Sequence, residues 1–334
     1  MAHYVVTGAS GFLGSTIVEE LIKQGHKVTV TLRTKKYLSA MYRKDTDCAY
    51  GDIRDVKFLD SIIKKDSIVI HAAGITALGK ENKNEMFDIN YTATKNLTDI
   101  CIKNHAKKLV FISSVDVICH YKGHHEMHEP EKFEIDKLAT PYAQSKALAS
   151  QYVLEKARAG LLNANVIYPT CFVGPGDDKI SFITQLILDY IKGEKVYSVK
   201  GGKYNFVDIR DVAAATIKIA QSAPSGEDYI IGGESTLIDD MFEIVSSKVD
   251  MEKPKSLSRL RAKFRTFFVN IGKSINNNEK VYSSYYIDSF FGNHNFSSEK
   301  AKRELGYTTR PLEETFGDTV DWLKKYKKDL IDEK

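Results

Sequence analysis

Thr7-Gly8-Ala9-Ser10-Gly11-Phe12-Leu13-Gly14 follows an apolar run, His3-Tyr4-Val5-Val6, and precedes a segment with helical periodicity. A glycine-rich turn between a strand and a helix is typical of dinucleotide-binding folds. Gly8 would permit the tight bend, Gly11 would let the backbone approach a pyrophosphate, and Gly14 would let the helix pack closely on its strand. The phosphates would meet the helix N-terminus, where free N–H groups and the positive end of the helix dipole favour anions. The alternative, a flexible loop without a ligand, fits the flanking periodicities less well.

The end of the second predicted strand bears on the choice of dinucleotide. Enzymes that prefer NAD usually place an acidic residue there to hold the ribose 2′-OH. This chain has Arg33, with Lys35 and Lys36 close behind it. A guanidinium suits a 2′-phosphate through charge-assisted hydrogen bonds, so Arg33 and Lys36 predict NADP as the cofactor. A solvated basic loop is the alternative.

The composition is that of an ordinary water-soluble globular protein, and it argues against several classes of function. The 334 residues include 48 Lys and Arg and 44 Asp and Glu, and a net charge of +4 gives little support for a nucleic-acid partner. Four separated cysteines form no metal-ligand spacing and indicate free thiols in a reducing compartment. No signal segment precedes the first strand and no apolar stretch is long enough to span a bilayer, so we expect a cytoplasmic protein.

Short β-branched runs alternate with amphipathic segments of helical length through the first half of the chain. This alternation predicts an α/β fold, a doubly wound parallel sheet of the Rossmann type with helices on both faces. The predicted strands are 3–7, 27–32, 47–51, 67–71, 108–113 and 163–168, followed later by 228–231. The predicted helices are 12–24, 56–64, 84–104, 140–159, 179–192 and 208–222.

Tyr142 and Lys146 stand four residues apart at the start of a predicted helix, which places both side chains on one face. The strand 108–113 ends in Ser113-Ser114, at the edge of a parallel sheet where ligands bind. A lone Tyr-x-x-x-Lys pattern is common on helix surfaces, but the serine pair and the glycine-rich turn would lie at the same edge. Ser114, Tyr142 and Lys146 are therefore the predicted catalytic residues.

The chemistry of these three side chains is consistent with proton transfer. A phenol has a pKa near ~10, so a nearby cation has to stabilise the phenolate before it can act as an acid or base at neutral pH. Lys146 would supply that charge. Tyr142 could then donate a proton to a carbonyl oxygen, or remove it from an alcohol in reverse, while a nicotinamide carries the hydride. Ser114 would hydrogen-bond the same oxygen and orient it.

Several motifs, in a fixed order, resemble the extended short-chain dehydrogenase/reductase family, which is part of the NAD-dependent epimerase/dehydratase superfamily. The resemblance covers nearly the whole chain, and the order of the motifs makes it far more specific than any one of them. The matching segments are the glycine-rich turn, Tyr50-Gly51-Asp52-Ile53, His71-Ala72-Ala73-Gly74, Ser113-Ser114, Tyr142 with Lys146, Pro169 with Gly174-Pro175-Gly176-Asp177, and Phe206-Val207-Asp208-Ile209-Arg210-Asp211-Val212.

The resemblance implies further contacts with the cofactor and a division into two lobes. Residues 1–170 would form the cofactor-binding domain, to which 203–232 return, and residues 171–202 and 233–330 would form a smaller C-terminal α/β substrate lobe. Asp52 and Ile53 would contact the adenine, and Pro169 would lie near the nicotinamide amide. The other implied cofactor contacts are Gly8, Ala9, Ser10, Gly11, Phe12, Leu13, Gly14, Ala72, Ala73, Gly74, Tyr142 and Lys146.

The segment 167–175 helps to distinguish two branches of that family. Nucleotide-sugar epimerases and dehydratases usually carry an arginine where Tyr168 stands and an asparagine, used on the diphosphate, where Cys171 stands. Pro169-Thr170, followed by apolar residues and Gly-Pro, looks more like dihydroflavonol-4-reductase and cinnamoyl-CoA reductase relatives, as does Arg33. We therefore expect an NADP-dependent enzyme that reduces an aldehyde or ketone to an alcohol. A nucleotide-sugar epimerase or dehydratase is the first alternative, and a non-catalytic NADP-sensing protein is the second.

The expected partner is a small-molecule carbonyl substrate, and the protein is expected to be a monomer or a homodimer. Residues 120–139 form a long polar segment, predicted to be a lid, whose four histidines lack the spacing of a metal site, so no metal is expected. Residues 255–273 interleave basic and apolar side chains. We expect an amphipathic helix there that packs on the substrate lobe rather than one that contacts a membrane.

Overall fold

The computed structural model describes residues 2–34, 45–76, 83–118, 125–263 and 284–332. Within these ranges a seven-stranded sheet carries helices on both faces, and a second group of short strands and helices packs beside it. Lys36, which the sequence assigned to the cofactor with Arg33, lies outside the described residues, as do His120 and His124.

The large sheet is parallel throughout and confirms the predicted doubly wound fold. Its strands begin and end within one residue of the predicted positions. The strands of the described chain are β1 (His3–Thr7), β2 (Lys27–Leu32), β3 (Asp47–Tyr50), β4 (Ile68–His71), β5 (Lys108–Ile112), β6 (Ala164–Pro169), β7 (Cys171–Val173), β8 (Ser198–Val199), β9 (Lys203–Asp208), β10 (Asp228–Ile231), β11 (Glu234–Leu237) and β12 (Ser256–Leu257).

The strand order predicts a ligand-binding crevice at the carboxyl end of the large sheet. The order is β3-β2-β1-β4-β5-β6-β10, so the chain builds outward from β1 in one direction and then crosses back to form β4 on its other side. The loops that follow β1 and β4 therefore diverge, and ligands of such sheets bind at this point, outside the carboxyl ends of the strands. The glycine-rich turn follows β1, and Ala72 follows β4.

Helices cover both faces because alternate strand residues point to opposite sides. Tyr4 and Val6 of β1 join a core with the first and seventh helices, whereas Val5 joins a second core with the fourth and fifth. The helices are α1 (Phe12–Lys23), α2 (Val56–Ile62), α3 (Lys83–Phe87), α4 (Ala93–Lys103), α5 (Pro141–Arg158), α6 (Phe182–Ile191), α7 (Ile209–Ser222), α8 (Ile238–Val249), α9 (Ser284–Ser289), α10 (Glu299–Leu305), α11 (Leu312–Tyr326) and α12 (Lys328–Asp332), with a further helical turn at 259–263.

The second group of elements has its own core. β7, β9 and β11 form a three-stranded sheet, and β8 pairs with β12. Residues 203–208, which the sequence assigned to the cofactor-binding domain, form β9 of the small sheet, where Phe206 packs against Phe316 of α11. The next residue, Val207, packs into the core that β1 and α7 share. The elements that follow belong to the large sheet, because α7 packs on α1 and β10 pairs with β6.

The segment 255–273 also departs from its prediction. Ser256–Leu257 is a strand, because it pairs in parallel with Ser198–Val199, and the helical turn begins only at Arg259. Leu257 packs partly against the core of the second group, whereas Leu260 is exposed. Residues 264–283 lie outside the described part of the chain. No helix within the described residues is long and apolar enough to cross a membrane.

The described part of the predicted lid, residues 125–139, is attached to the rest of the protein. Met127 is buried and pairs through its backbone with Phe296. Glu129 accepts a hydrogen bond from the Ile230 N–H of β10 at 2.8 Å, and Lys300 donates to the Asp228 carbonyl of the same strand at 2.9 Å. Among described residues, no group of three or more His, Cys, Asp or Glu side chains could hold a metal ion.

Candidate active site

The glycine-rich turn is held tightly against the end of β4. Gly8 has a φ of +74°, and a Cβ there would lie 2.6 Å from the Ala72 carbonyl carbon and from the Ala73 nitrogen. A Cβ at Gly14 would collide with the carbonyl oxygen of Gly8. Gly11 caps the start of α1 without a side-chain hydrogen bond, and the first turn of α1 has no acidic residue. A pyrophosphate fits this helix N-terminus, because it would face N–H groups and meet no carboxylate there.

The other residues of the turn divide between the core and the crevice. Ala9 and Leu13 are buried in the core, so only their backbone can serve a cofactor, whereas Ser10 is half-buried. Phe12 meets Phe172 of β7 edge to face, with ring centroids 5.8 Å apart. The turn therefore contacts both the large sheet and the small one.

The charges of two cations, Arg33 and Lys179, interact beyond the end of β2. Arg33 is exposed, and its charge reaches both Asp52 and Lys179. Burial and then Arg33 lower the pKa of Lys179. The Asp52 carboxylate accepts two hydrogen bonds from the Arg54 guanidinium, at 2.7 and 3.0 Å, and Arg54 contributes most to the lowered pKa of Asp52. Arg33 and Lys179 belong to separate loops, and their positive charges act at the same end of the sheet.

The end of β5 presents its two serines to different surroundings. Ser113 is buried, and its Oγ hydrogen-bonds with Ser150 Oγ of α5 at 2.8 Å. Ser114 is half-buried and begins a short 3-10 helix, Val115–Val117, in which its Oγ accepts from the Asp116 N–H at 3.1 Å. Ser113 therefore ties the strand to α5, while Ser114 remains at the edge of the sheet.

The start of α5 determines where Tyr142 and Lys146 lie. Thr140 is the N-cap, and its Oγ1 accepts from the Ala143 N–H at 3.1 Å. Pro141 follows at the first helical position, where its missing N–H costs no hydrogen bond. Tyr142 therefore lies in the first turn and Lys146 one turn later, on the same face.

Lys146 reaches the carboxyl end of β5 from this helix. Its Nζ donates to the Ile112 carbonyl at 2.5 Å and lies 4.4 Å from the centre of the Phe111 ring. A Cβ added to Gly74 would lie 3.6 Å from the same Nζ, so the ammonium borders the loop that follows β4. Lys146 thus lies next to two segments that the sequence assigned to the site, namely the end of β5 and the loop that contains Gly74.

Burial of Lys146 makes stability depend on pH. The residue is 5% exposed, and burial lowers its pKa to about 7, whereas an unfolded lysine titrates near ~10.4. Below about pH 7 both states carry the charge and the full cost of burial applies; above it the unfolded chain binds more protons, so stability rises with pH.

We expect Lys146→Met to raise the free energy of unfolding by about 1–3 kcal/mol near pH 6 and by less near pH 10. Urea titrations at the two pH values measure the difference. The exposed Lys107→Met is the control and should change stability little at either pH. A gain for Lys146→Met that does not vary with pH would contradict this account.

Asn90 belongs to the site, although sequence reasoning missed it. The predicted helix 84–104 is interrupted by a π-helical turn, Asp88–Thr92, between α3 and α4. Within it Asn90 is fully buried, accepts from the Ile75 N–H and donates to the Ile75 carbonyl, each at 2.9 Å. π-helical turns are frequent at functional sites. The sequence contains no signal for this one, because its residues continue an amphipathic pattern.

Tyr168 and Cys171 are the two positions at which the sequence differs from nucleotide-sugar epimerases and dehydratases. They face different parts of the molecule. Tyr168 is fully buried, and its hydroxyl donates to Asp228 at 2.8 Å. Cys171 is half-buried, and burial together with nearby Asp116 raises the pKa of its thiol to about 12. At neutral pH these two positions therefore offer a phenol that is already hydrogen-bonded and an uncharged thiol.

Two further residues that the resemblance assigned to the cofactor are also placed. Buried Pro169 lies between Tyr168 and Cys171 at the end of β6, and half-buried Ile53 packs against the second core.

Comparisons with known proteins match nearly the whole chain. A model of the NAD dependent epimerase/dehydratase family matches residues 4–232. A Methylococcus capsulatus protein named sterol demethylase protein B is 26% identical over 333 residues, 96% of this chain and 98% of that protein. A Synechocystis protein provisionally named as a dihydroflavonol 4-reductase is 24% identical over 337 residues, 97% of this chain and 95% of that protein. The crystal structure of gox2253 superposes with a TM-score of 0.82 at 26% identity, covering 98% of this chain and 99% of that one.

Proposed function

Because the chain belongs to the NAD-dependent epimerase/dehydratase family, we propose that it is an NADP-dependent oxidoreductase that reduces a carbonyl group of an apolar substrate to an alcohol. The family match confirms the resemblance to the extended short-chain dehydrogenases/reductases. The observation that carries the proposal is that Tyr142 and Lys146 share one face of α5, and that the Lys146 ammonium binds the Ile112 carbonyl at the end of β5, two residues before Ser114.

Each of these side chains has a defined part in the proposed reaction. The nicotinamide, when bound, supplies the hydride that the carbonyl carbon gains. The Tyr142 hydroxyl donates the proton that the carbonyl oxygen gains, and the Lys146 charge stabilises the phenolate that remains. Ser114 donates a hydrogen bond to the same oxygen and orients it. Lys146 would also hold the nicotinamide ribose of a bound cofactor, and the N–H groups at the start of α1 would hold its pyrophosphate.

Two observations favour reduction over the chemistry of nucleotide sugars. A buried diphosphate needs cationic or hydrogen-bonding partners, because desolvating its charge without them is costly. Tyr168 already donates to Asp228, and Cys171 is uncharged at neutral pH. The names of two relatives refer to a sterol, which is an apolar ring compound, and to a dihydroflavonol, which is an aromatic one, and this supports a substrate that bears an apolar or aromatic group.

We predict that the protein oxidises NADPH with aldehydes or ketones that bear an apolar or aromatic group, and releases NADP after each turnover. A panel of aromatic ketones, aldehydes and ketosteroids, followed by NADPH absorbance, measures the activity. UDP- and GDP-sugars should neither bind below millimolar concentration in calorimetry nor raise the melting temperature. Micromolar affinity for a nucleoside-diphosphate sugar, together with copurified NAD, would replace this proposal with an epimerase. NADPH binding without activity on any compound would favour a sensor.

Cofactor preference depends on Arg33 and gives a further prediction. NADPH should bind more tightly than NADH by roughly tenfold or more, because one charge-assisted phosphate contact contributes ~1.4 kcal/mol or above. Arg33→Asp should reverse this preference. Fluorescence titrations with both cofactors measure it, and Lys57→Asp, an exposed substitution with the same change in charge, should leave it unaltered. Equal affinity of the wild-type protein for the two cofactors would refute the assignment of NADP.

A further inference from the structure

We propose that His71 is a positioning residue, and that its neutral form with the proton on Nε2 holds the segment 73–75 in place at the cofactor. His71 is the last residue of β4 and lies, fully buried, between the glycine-rich turn and α4. The assignment of segment 73–75 to the cofactor rests on the proposed function, whereas the protonation of His71 follows from its own hydrogen bonds.

Two threonines determine which nitrogen of His71 carries the proton. Thr94 Oγ1 donates its only hydrogen to the Asn90 carbonyl at 2.8 Å, so it can only accept from His71 Nε2, 2.9 Å away. On the other side, Thr7 Oγ1 lies 2.6 Å from His71 Nδ1 and accepts from the Ala73 N–H at 3.3 Å. An unprotonated Nδ1 accepts the hydrogen of the Thr7 hydroxyl, and every donor in this series then has an acceptor.

The surroundings of the ring keep it neutral. Phe111 stacks on His71 with ring centroids 5.5 Å apart, and the Lys146 ammonium lies over the same Phe111 ring. Burial, and then the charge of Lys146, lower the pKa of His71 to about 3. A second proton on Nδ1 would also oppose the Thr7 hydroxyl hydrogen, so that one of the two donors would lose its partner.

The hydrogen bonds through His71 connect two anchors of one short segment. Thr7 accepts from the Ala73 N–H, and Asn90 binds both the N–H and the carbonyl of Ile75. His71 lies between these anchors and sets the distance between the glycine-rich turn and the π-helical turn. With Nδ1 unprotonated, the Thr7 hydroxyl donates to His71 and turns its oxygen toward the Ala73 N–H. In the other tautomer the hydroxyl hydrogen would lose this acceptor, and the Thr7 oxygen would no longer be oriented at the Ala73 anchor.

The tautomer can be tested in the whole protein by NMR of samples labelled with 15N-histidine, without substrate. Comparison with His71→Gln assigns the signals of His71. We expect a protonated Nε2 and an unprotonated Nδ1 between about pH 5 and 8, the range in which an ordinary histidine titrates. A proton on Nδ1, or a ring that titrates in this range, would overturn the proposal.

Thr94→Val removes the acceptor of the Nε2 proton and keeps the branched side chain. We expect the proton to move to Nδ1 and the Kd for NADPH to rise roughly tenfold, since the Thr7 hydroxyl then loses the acceptor that orients its oxygen toward the Ala73 N–H. Thr98→Val, one turn further along α4, is the matched control. Thr98 is equally buried and donates to the Thr94 carbonyl at 2.8 Å, outside the hydrogen bonds through His71. This variant should keep the wild-type tautomer and a Kd within about twofold.

The two valine variants also distinguish positioning from packing. Equal effects of both on the tautomer and on the Kd would show that His71 acts through packing alone, and would overturn the proposal. If the wild-type protein does not bind NADPH, the proposed function fails. The tautomer in the wild-type protein and in Thr94→Val then still decides whether His71 connects the two anchors.

Discussion

Tyr142→Phe is expected to lower turnover by roughly a hundredfold or more while the Kd for NADPH stays nearly unchanged. The substitution removes only the hydroxyl that would transfer the proton, and the ring keeps its half-buried place in the first turn of α5. Steady-state rates with an accepted carbonyl substrate and fluorescence titrations with NADPH measure the two quantities separately.

Tyr152→Phe is the matched control on the same helix. Tyr152 donates to Asp99 at 2.6 Å, so this variant also loses a phenolic hydroxyl, and with it one hydrogen bond. Its turnover should stay within about twofold of the wild-type value. Near-normal reduction by Tyr142→Phe would contradict the proton-donor role, and an equal loss in both variants would indicate damage to α5 instead.

Gly8→Ala is expected to weaken NADPH binding by roughly a hundredfold or more and to lower the free energy of unfolding by about 2–4 kcal/mol. The added methyl group would lie 2.6 Å from backbone atoms of Ala72 and Ala73, which cannot turn aside as a side chain can. The turn would have to open, and its N–H groups would lose their arrangement around the phosphates. NADPH titrations and urea unfolding measure both effects.

Gly25→Ala is the control that distinguishes the steric collision at Gly8 from the strain of a positive φ. Gly25 has the same φ of +74°, but nothing lies within 4 Å of the place of its Cβ. We expect a loss of about 1 kcal/mol and unchanged NADPH binding. A Gly8→Ala protein that binds NADPH within about threefold of the wild-type affinity would show that the phosphates do not lie at this turn.

The large sheet could be predicted closely because its strands are buried on both faces. Such strands read as short, continuous apolar runs, as Tyr4-Val5-Val6 and Ile68-Val69-Ile70 do, and each is followed by a helix of clear periodicity. The small sheet has no comparable signal. β7 is three residues long, and β11 is half exposed, so neither forms a run that stands out from a loop.

The candidate site was predictable where it depends on local spacing and not where it depends on tertiary contacts. Tyr142 and Lys146 share a helix, so their relation follows from the period of that helix. The charge of Arg33 acts on Lys179, which is distant in sequence, and no local spacing indicates this. Asn90 lies in a turn whose extra residue leaves no mark in the hydrophobic pattern.

The attachment of Glu129 and Lys300 to β10 bears on aggregation and on assembly. β10 is an edge strand, and the free N–H and carbonyl groups of an edge strand usually invite pairing with another chain. Here the outward N–H of Ile230 and the outward carbonyl of Asp228 are already bound by charged side chains. An additional strand at this edge would have to displace both. A second copy of the chain is thus discouraged from continuing the sheet here, and a homodimer would form through other surfaces.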